Sequence, residues 1–140
     1  MRHIKQKYNQ CALASLCQVH EELDYEELSK SYPDTDDYLT SKSWQFATDK
    51  WFRTHLPEFA GMVKCHVNGF LLTGLNVPYK GEGLLYIISL TSIAGHALSY
   101  KDGLVLDSAK ESAQFEIWEN TPYARNGWEI MEIVKLKGGK

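Results

Sequence analysis

Apolar residues recur at helical spacing near the start of the chain. In the segment CALASLCQV, the apolar positions i, i+1, i+4 and i+7 form one stripe, which predicts a helix from Cys11 to about Val19. This segment follows a polar stretch, KQKYNQ, so the helix begins with a cysteine in its first turn. A structural thiol more often lies in the middle of a helix, where it faces the core as a small hydrophobic group.

Two further helices are predicted before residue 58. LDYEELSKSYP begins with Asp24 three residues before Glu27, which is the pattern of a capping box, and Pro33 ends it. TSKSWQFATDKWFRTHLP predicts a third helix that ends at Pro57 and packs an aromatic-rich face on the core. The residues of that face are Trp44, Ala47, Trp51 and His55.

Beyond residue 57 the pattern becomes that of strands. GLLYIISL, residues 83–90, is a continuous apolar run and predicts a strand that is buried on both faces. GHALSYKDGLVLD carries an Asp-Gly pair between two alternating runs, which is typical of a tight β-hairpin, and WEIMEIVKLK, residues 128–137, alternates as a final strand. Helices followed by antiparallel strands predict the α+β class, in a single domain over residues 1–140.

The predicted hairpin brings a histidine and a carboxylate onto one face of the sheet. With a two-residue loop, the register places Leu98 opposite Asp107. Since side chains alternate along a strand, His96 shares the face of Leu98 and is a diagonal neighbour of Asp107, about 7–8 Å away between backbones. An imidazole and a carboxylate can bridge this gap. We expect both side chains to project toward the first turn of the Cys11 helix.

Composition limits the classes of function. The chain has 140 residues, 44% of them hydrophobic, which is enough for one core. The net charge of −3 and the lack of a basic stripe disfavour nucleic acid as a partner, and the apolar runs are too short to span a membrane. The three cysteines cannot all pair, and no charged segment with a following apolar run opens the sequence, so we expect a reduced, cytoplasmic protein.

Cys11 has the sequence surroundings of a nucleophile. The positive end of a helix dipole favours a thiolate, and a histidine held by a carboxylate can complete an ion pair with it. The backbone N–H of Cys11 and the side-chain amide of Gln6 are candidate donors to an oxyanion. We therefore interpret Cys11, His96, Asp107 and Gln6 as the parts of a thiol acyl-transfer site that uses no cofactor.

The remaining thiols and imidazoles are given structural roles. Cys17 is predicted to lie in the core, on a different helical face from Cys11. Cys65-His66 lacks a second ligand pair at zinc spacing, so no metal site is predicted. His3, His20 and His55 are interpreted as surface or packing residues.

IKQKYNQCALASLCQV and YEEL, followed by GLLYIISLTSIAGHALSYKDGLVLDSA, resemble papain-like cysteine peptidases of bacteria and their phages. The nearest family by these motifs removes double-glycine leaders from bacteriocin precursors. That family has a Gln, a Cys opening a helix of small and apolar residues, a His after Gly at the start of a strand, and an Asp ending the next strand. The resemblance covers residues 1–30 and 83–109.

The resemblance implies a fold and a set of roles. The fold would be papain-like, with N-terminal helices packed on a C-terminal antiparallel sheet, and the partner would be a peptide or protein substrate. Cys11 would be the nucleophile, His96 the general base and then acid, Asp107 the orienting carboxylate and Gln6 the oxyanion donor.

The chain departs from the family pattern at two positions. The family's glutamine usually lies six residues before the cysteine, whereas Gln6 lies five before Cys11, and Ala12 stands where glycine is common. Gln10 and Asn9 are therefore alternative oxyanion donors.

Two classes of function remain open from the sequence. The first is a cysteine peptidase or isopeptidase that forms an acyl-enzyme. The second is a peptide-binding or inhibitory module on the same fold; deamidase-like or transglutaminase-like thiol chemistry is a third possibility. The segment 21–37, with eight carboxylates and one lysine, is interpreted as a solvated face rather than an attractor of basic substrates. The tail KLKGGK is interpreted as a polar end rather than a self-processing site.

Overall fold

In the described part of the chain, helices precede the sheet. The structure is a computed structural model that describes residues 1–33, 48, 50–59, 81–89, 91 and 94–135, with backbone alone at 94 and 131–135. Within this part, helix α1 spans Cys11–Val19, α2 spans Tyr25–Ser29 and α3 includes residues 50–55. A short helix α4, Pro122–Arg125, follows near the end of the described chain. No helix in these ranges has the length and apolar character needed to cross a bilayer.

Helix α1 begins and ends as the sequence predicts, whereas α2 begins after the predicted cap Asp24 but ends at Ser29, four residues before Pro33. Every residue of α1 after Cys11 is buried, because the helix packs against the sheet and also contacts α2. At the start of α2, the side chain of Asp24 accepts a hydrogen bond from the backbone N–H of Glu27 (3.2 Å). Glu27 itself pairs with Lys30 at 3.1 Å, so one half of the predicted capping box is formed in the structure.

Helix α3 presents aromatic side chains to the core and stops before Pro57, as predicted. Trp51 is buried, and its indole N–H donates to the hydroxyl of Ser31 (3.0 Å). His55 stacks on Trp51 with 4.7 Å between ring centroids, which agrees with a packing role for this histidine. Trp44 and Ala47 lie outside the described residues.

The sheet confirms the α+β class. In the described part of the chain it has four strands in the order β3-β2-β1-β4, and every neighbouring pair is antiparallel. The strands are β1 (Glu82–Ser89), β2 (Ala94–Lys101), β3 (Leu104–Leu106) and β4 (Glu129–Lys135).

Strand β1 is buried on both faces, as its continuous apolar run predicts. Leu84, Tyr86 and Ile88 pack in the cluster that contains α1. Leu85 and Ile87 pack on the opposite face in a second cluster, which also includes Trp118, Tyr123 and Trp128. The sheet therefore separates two cores.

The β2–β3 hairpin has the predicted two-residue loop. Asp102 and Gly103 have φ angles of 48° and 90°, the left-handed values that a type I′ turn requires. The register pairs Lys101 with Leu104 and continues only to Leu106, where β3 ends. In the described chain, the first half of β2 therefore has no strand on this side.

Helix α1 lies along that open edge of β2. The Ser15 hydroxyl donates to the carbonyl of Ala97 (3.1 Å), and the Ser99 hydroxyl donates to the carbonyl of Ser15 (2.8 Å). The first of these bonds occupies a carbonyl of β2 that strand pairing leaves over, and the second ends on a carbonyl of the helix. They also fix the height of the helix relative to the strand.

A buried glutamine completes the contact between α1 and the sheet. Gln18 donates through Nε2 to the hydroxyl of Ser99 (2.7 Å) and to the carbonyl of Leu106 (3.3 Å), and its Oε1 accepts from the N–H of Ile4 (3.0 Å). One fully buried amide thus joins the N-terminal segment, α1, β2 and β3.

Candidate active site

Cys11 occupies the first turn of α1 and is partly exposed. Within the described residues, no side chain caps this helix at Gln10, and its first turn contains no acidic residue. The positive end of the helix dipole is therefore available to a thiolate. The backbone N–H of Cys11 also belongs to the first turn, where the helix supplies no carbonyl acceptor.

His96 and Asp107 are joined by a hydrogen bond of 2.8 Å between Nε2 and Oδ1. His96 lies in β2, and Asp107 follows the last residue of β3. His96 pairs directly with Ile87, which places the imidazole on the face of the second cluster. The common face of His96 and Asp107 is thus the one that the hairpin register predicts.

The thiol meets the imidazole at the edge of the sheet. The sequence suggested that the Cys11 helix would meet His96 on one face of the sheet. The body of α1 instead packs on the opposite face from His96, so the thiol reaches the imidazole around the edge. Because β3 is short, the first turn of α1 reaches the edge of β2, where the Cys11 sulfur accepts from the N–H of Ala97 and bonds the His96 ring. Because Nε2 is bound to Asp107, Nδ1 is the ring nitrogen left to bond the sulfur.

The contact between Cys11 and His96 favours an ion pair. Burial opposes ionisation of the thiol, but the hydrogen bond and positive charge of His96, with the N–H groups of Ala97 and Ala12, lower the pKa of Cys11 below its ordinary value. Burial likewise opposes the imidazolium, yet hydrogen bonds to Asp107 and Cys11 raise the pKa of His96 to about 10. Both shifts stabilise thiolate and imidazolium together.

Asp107 is held as a carboxylate by three donors. Besides His96, the backbone N–H of Ala109 donates to Oδ1 (2.9 Å) and the hydroxyl of Tyr123 donates to Oδ2 (2.6 Å). Burial tends to raise the pKa of this carboxyl, but the bond and charge of His96, with these two donors, lower it to about 2. Tyr123 lies in α4, and no motif in the sequence indicates that it contacts Asp107.

Gln6 is attached to the loop that carries Asp107. Its backbone N–H donates to the carbonyl of Ser108 (2.8 Å), and its side-chain Oε1 accepts from the Ser108 hydroxyl (2.7 Å). Because the amide oxygen is occupied by Ser108, the NH₂ group is the end of Gln6 left to donate.

The two alternative donors have other surroundings. Gln10 is buried, and its Oε1 accepts from the hydroxyl of Tyr25 (2.6 Å) in α2. Asn9 has a φ of 61° in a tight turn closed by the bond from Gln10 N–H to the carbonyl of Lys7 (3.1 Å). This turn lies between Gln6 and the first residue of α1.

Other predicted assignments concern residues away from this site. Cys17 is fully buried, as predicted, and burial raises the pKa of its thiol to about 12. His20 packs against Phe59 with ring centroids 4.9 Å apart. Cys65-His66 and the Gly138-Gly139 tail lie outside the described residues.

Within the described ranges, no group of three or more His, Cys, Asp or Glu side chains is placed to hold a metal ion. The carboxylates of segment 21–37 that fall in these ranges are all exposed, in agreement with a solvated face. They are Glu21, Glu22, Asp24, Glu26 and Glu27.

Comparison with known proteins adds no identification. No protein-family model, curated protein or solved structure matches the chain significantly. The site is therefore interpreted from its own geometry.

Proposed function

We propose that the protein is a papain-like cysteine peptidase that cleaves a peptide or isopeptide bond through an acyl-enzyme. The observation that carries the proposal is the continuous chain of hydrogen bonds from the Cys11 sulfur through His96 to Asp107. Each part has the order and role that acyl transfer needs: a nucleophile, a base that becomes an acid, and an orienting carboxylate. The placement of a thiol-bearing helix beside an antiparallel sheet supports the papain-like assignment.

The first half of the reaction forms the acyl-enzyme. The thiolate of Cys11 attacks the carbonyl carbon of the bound amide, a C–S bond forms, and the carbonyl π electrons move to oxygen. As this intermediate collapses, the C–N bond breaks and the proton on Nδ1 of His96 passes to the leaving amine. A thioester and a neutral imidazole remain.

The second half consumes one water molecule. Neutral His96 accepts a proton from the water, whose oxygen attacks the thioester carbon. Breaking the C–S bond releases the carboxylic acid and restores the thiolate beside the imidazolium. The net reaction is hydrolysis of one amide to an acid and an amine.

Two donors are available for the oxyanion in both halves. We assign them to the backbone N–H of Cys11 and the NH₂ group of Gln6, whose amide orientation is fixed by Ser108. A thiolate nucleophile needs reducing surroundings, since oxidation of the sulfur would end turnover, so we place the enzyme in the cytoplasm.

The nucleophile is tested by competitive alkylation of the wild-type protein. After brief iodoacetamide treatment at pH 7, peptide mass spectrometry should show Cys11 modified on the order of tenfold or more faster than Cys17 or Cys65, because only a thiolate reacts readily. His96→Ala should slow the modification of Cys11, whereas His55→Ala, which removes an exposed histidine on α3, should leave it unchanged. Faster labelling of either other cysteine contradicts the assignment.

Hydrolysis itself is tested with an activity-based probe for thiol hydrolases and a fluorogenic peptide and isopeptide library. Wild type and Cys17→Ala should react with the probe and cleave at least one substrate, and Cys11→Ala should do neither. Release of ammonia from glutamine side chains without chain cleavage would instead indicate a deamidase. An unreactive Cys11 together with no turnover would favour a binding module.

A further inference from the structure

Tyr123 connects two members of the candidate site, although it lies on a different element from both. Its hydroxyl donates to Oδ2 of Asp107 at 2.6 Å. Its ring lies beside the imidazole of His96, with 5.5 Å between centroids and 36° between ring planes. One side chain therefore contacts the carboxylate and the base that this carboxylate orients.

The backbone around Tyr123 is fixed by local bonds. The Thr121 side chain accepts from the N–H of Ala124 (3.2 Å) and so caps α4, and Pro122 stands in the first turn. The N–H of Trp128 donates to the carbonyl of Tyr123 (3.0 Å), and the two rings meet edge to face at 5.1 Å. The Tyr123 hydroxyl thus projects from a turn that these local hydrogen bonds close.

The Tyr123 hydroxyl supplies the hydrogen bond to the second carboxylate oxygen of Asp107. Oδ1 accepts from both His96 and the N–H of Ala109, whereas Tyr123 is the donor that the structure places on Oδ2. Asp107 is 8% exposed, so water can replace a lost donor only partly. A carboxylate held at one oxygen alone can rotate about its Cβ–Cγ bond, and its hydrogen bond to His96 then loses its geometry.

We propose that Tyr123 is a positioning residue of this site, which holds the Asp107 carboxylate, and through it the His96 ring, in register with the Cys11 sulfur. This inference rests on the proposed function only in taking Cys11 and His96 as the working pair. It concerns the state of the thiol in the resting protein, and so it can be measured without any substrate.

The test is the pH dependence of Cys11 alkylation in Tyr123→Phe, which keeps the ring and removes the hydroxyl. We expect this variant to alkylate about tenfold more slowly than wild type at pH 6, which corresponds to a shift of the profile by one pH unit. Tyr32→Phe removes another buried tyrosine hydroxyl, in the core on the other face of the sheet, and should alkylate as wild type does. Superimposable profiles for wild type and Tyr123→Phe would overturn the proposal.

A double-mutant cycle separates positioning from general loosening of the fold. If Tyr123 acts through Asp107, the Tyr123→Phe change should have no further effect on alkylation in an Asp107→Asn background. An equal slowing in both backgrounds contradicts the proposal. Should Tyr123→Phe fail to fold, the wild type still decides: its phenolic proton should give a slowly exchanging NMR signal, and absence of that signal rejects the hydrogen bond.

The outcomes also separate this proposal from the proposed function. A shifted alkylation profile in a protein that cleaves no substrate would support the role of Tyr123 and reject the peptidase. Normal alkylation by Tyr123→Phe, in a protein whose turnover depends on Cys11, would do the reverse.

Discussion

Gln6 and Gln10 are two amides close together in sequence with different partners. The Gln6 oxygen is bound by Ser108, which adjoins Asp107, whereas the Gln10 oxygen is bound by Tyr25 of α2. Both amide groups are oriented, but Gln6 alone of the two is attached to the loop that carries Asp107. At the scale of single residues, these contacts favour Gln6 as the oxyanion donor.

The two glutamines can be compared directly by mutation. Gln6→Ala should lower the rate of hydrolysis by a factor on the order of 10²–10³, the usual effect of losing one oxyanion donor, and should leave alkylation of Cys11 nearly unchanged. Gln10→Ala, the matched control, should retain most of the turnover. Steady-state kinetics on the best library substrate decide the matter, and the opposite ranking would assign the role to Gln10.

The sequence could identify some site residues because their positions follow from local rules. An Asp-Gly turn fixes the hairpin register, and the register alone places His96 and Asp107 on a common face. Tyr123 follows no such rule: Thr121 and Pro122 signal a short helix, but nothing local tells where its tyrosine hydroxyl lands. That contact depends on how α4 packs, which is a tertiary property.

Among the elements, α1 and β2 define the site by their relative position. Their periodicity predicts both elements, but it does not show that the helix lies along a strand edge. That arrangement depends on the length of β3 and on the bonds of Ser15 and Gln18, which connect residues far apart in the chain. Apolar periodicity carries no information about such buried polar partners.

Gln18→Leu tests whether this polar network stabilises the contact between helix and sheet. The substitution keeps a similar volume but leaves the N–H of Ile4 and the carbonyl of Leu106 without their side-chain partner. We expect a loss of about 1–3 kcal/mol in the free energy of unfolding, measured by urea denaturation. Gln114→Leu, at an exposed position, should change it little, and an equal effect of both would contradict a specific role for Gln18.

For the molecule as a whole, a Cys11–His96 ion pair changes how stability depends on pH. The change follows from the number of protons that the folded and the unfolded chain each bind. The raised pKa of His96 contributes stability that is fully present below pH 6.5 and is lost as the pH rises toward about 10. The lowered pKa of Cys11 contributes stability that is fully present above pH 9.0 and is lost as the pH falls. Between pH 6.5 and pH 9.0 the folded chain holds one proton on His96, and the unfolded chain holds one proton on Cys11. Because both states hold one proton on the pair, the two slopes cancel in this range.

Removing the thiol should expose the slope of the histidine. In Cys11→Ala, His96 loses the part of its pKa shift that Cys11 supplies but keeps its bond to Asp107, so stability should fall as the pH rises above 6.5, by up to about 1.4 kcal/mol per pH unit until His96 itself loses its proton. Cys17→Ala should keep the wild-type slope up to about pH 8, because below its ordinary pKa of 9.0 this thiol is neutral in the unfolded chain as well as in the folded one. Urea midpoints at three pH values give the slopes, and identical slopes for wild type and Cys11→Ala would refute the ion pair.

The three-residue length of β3 also limits where the chain can accept insertions. Residues added at the Asp102-Gly103 turn would lengthen the hairpin at its outer end, far along β2 from the cysteine. Residues added after Leu106 would let the strand continue along the first half of β2, onto the edge that α1 now occupies, and would carry Asp107 out of step with His96. Relatives of this protein that differ in hairpin length should therefore vary at the turn and keep a constant spacing between the end of the short strand and the carboxylate.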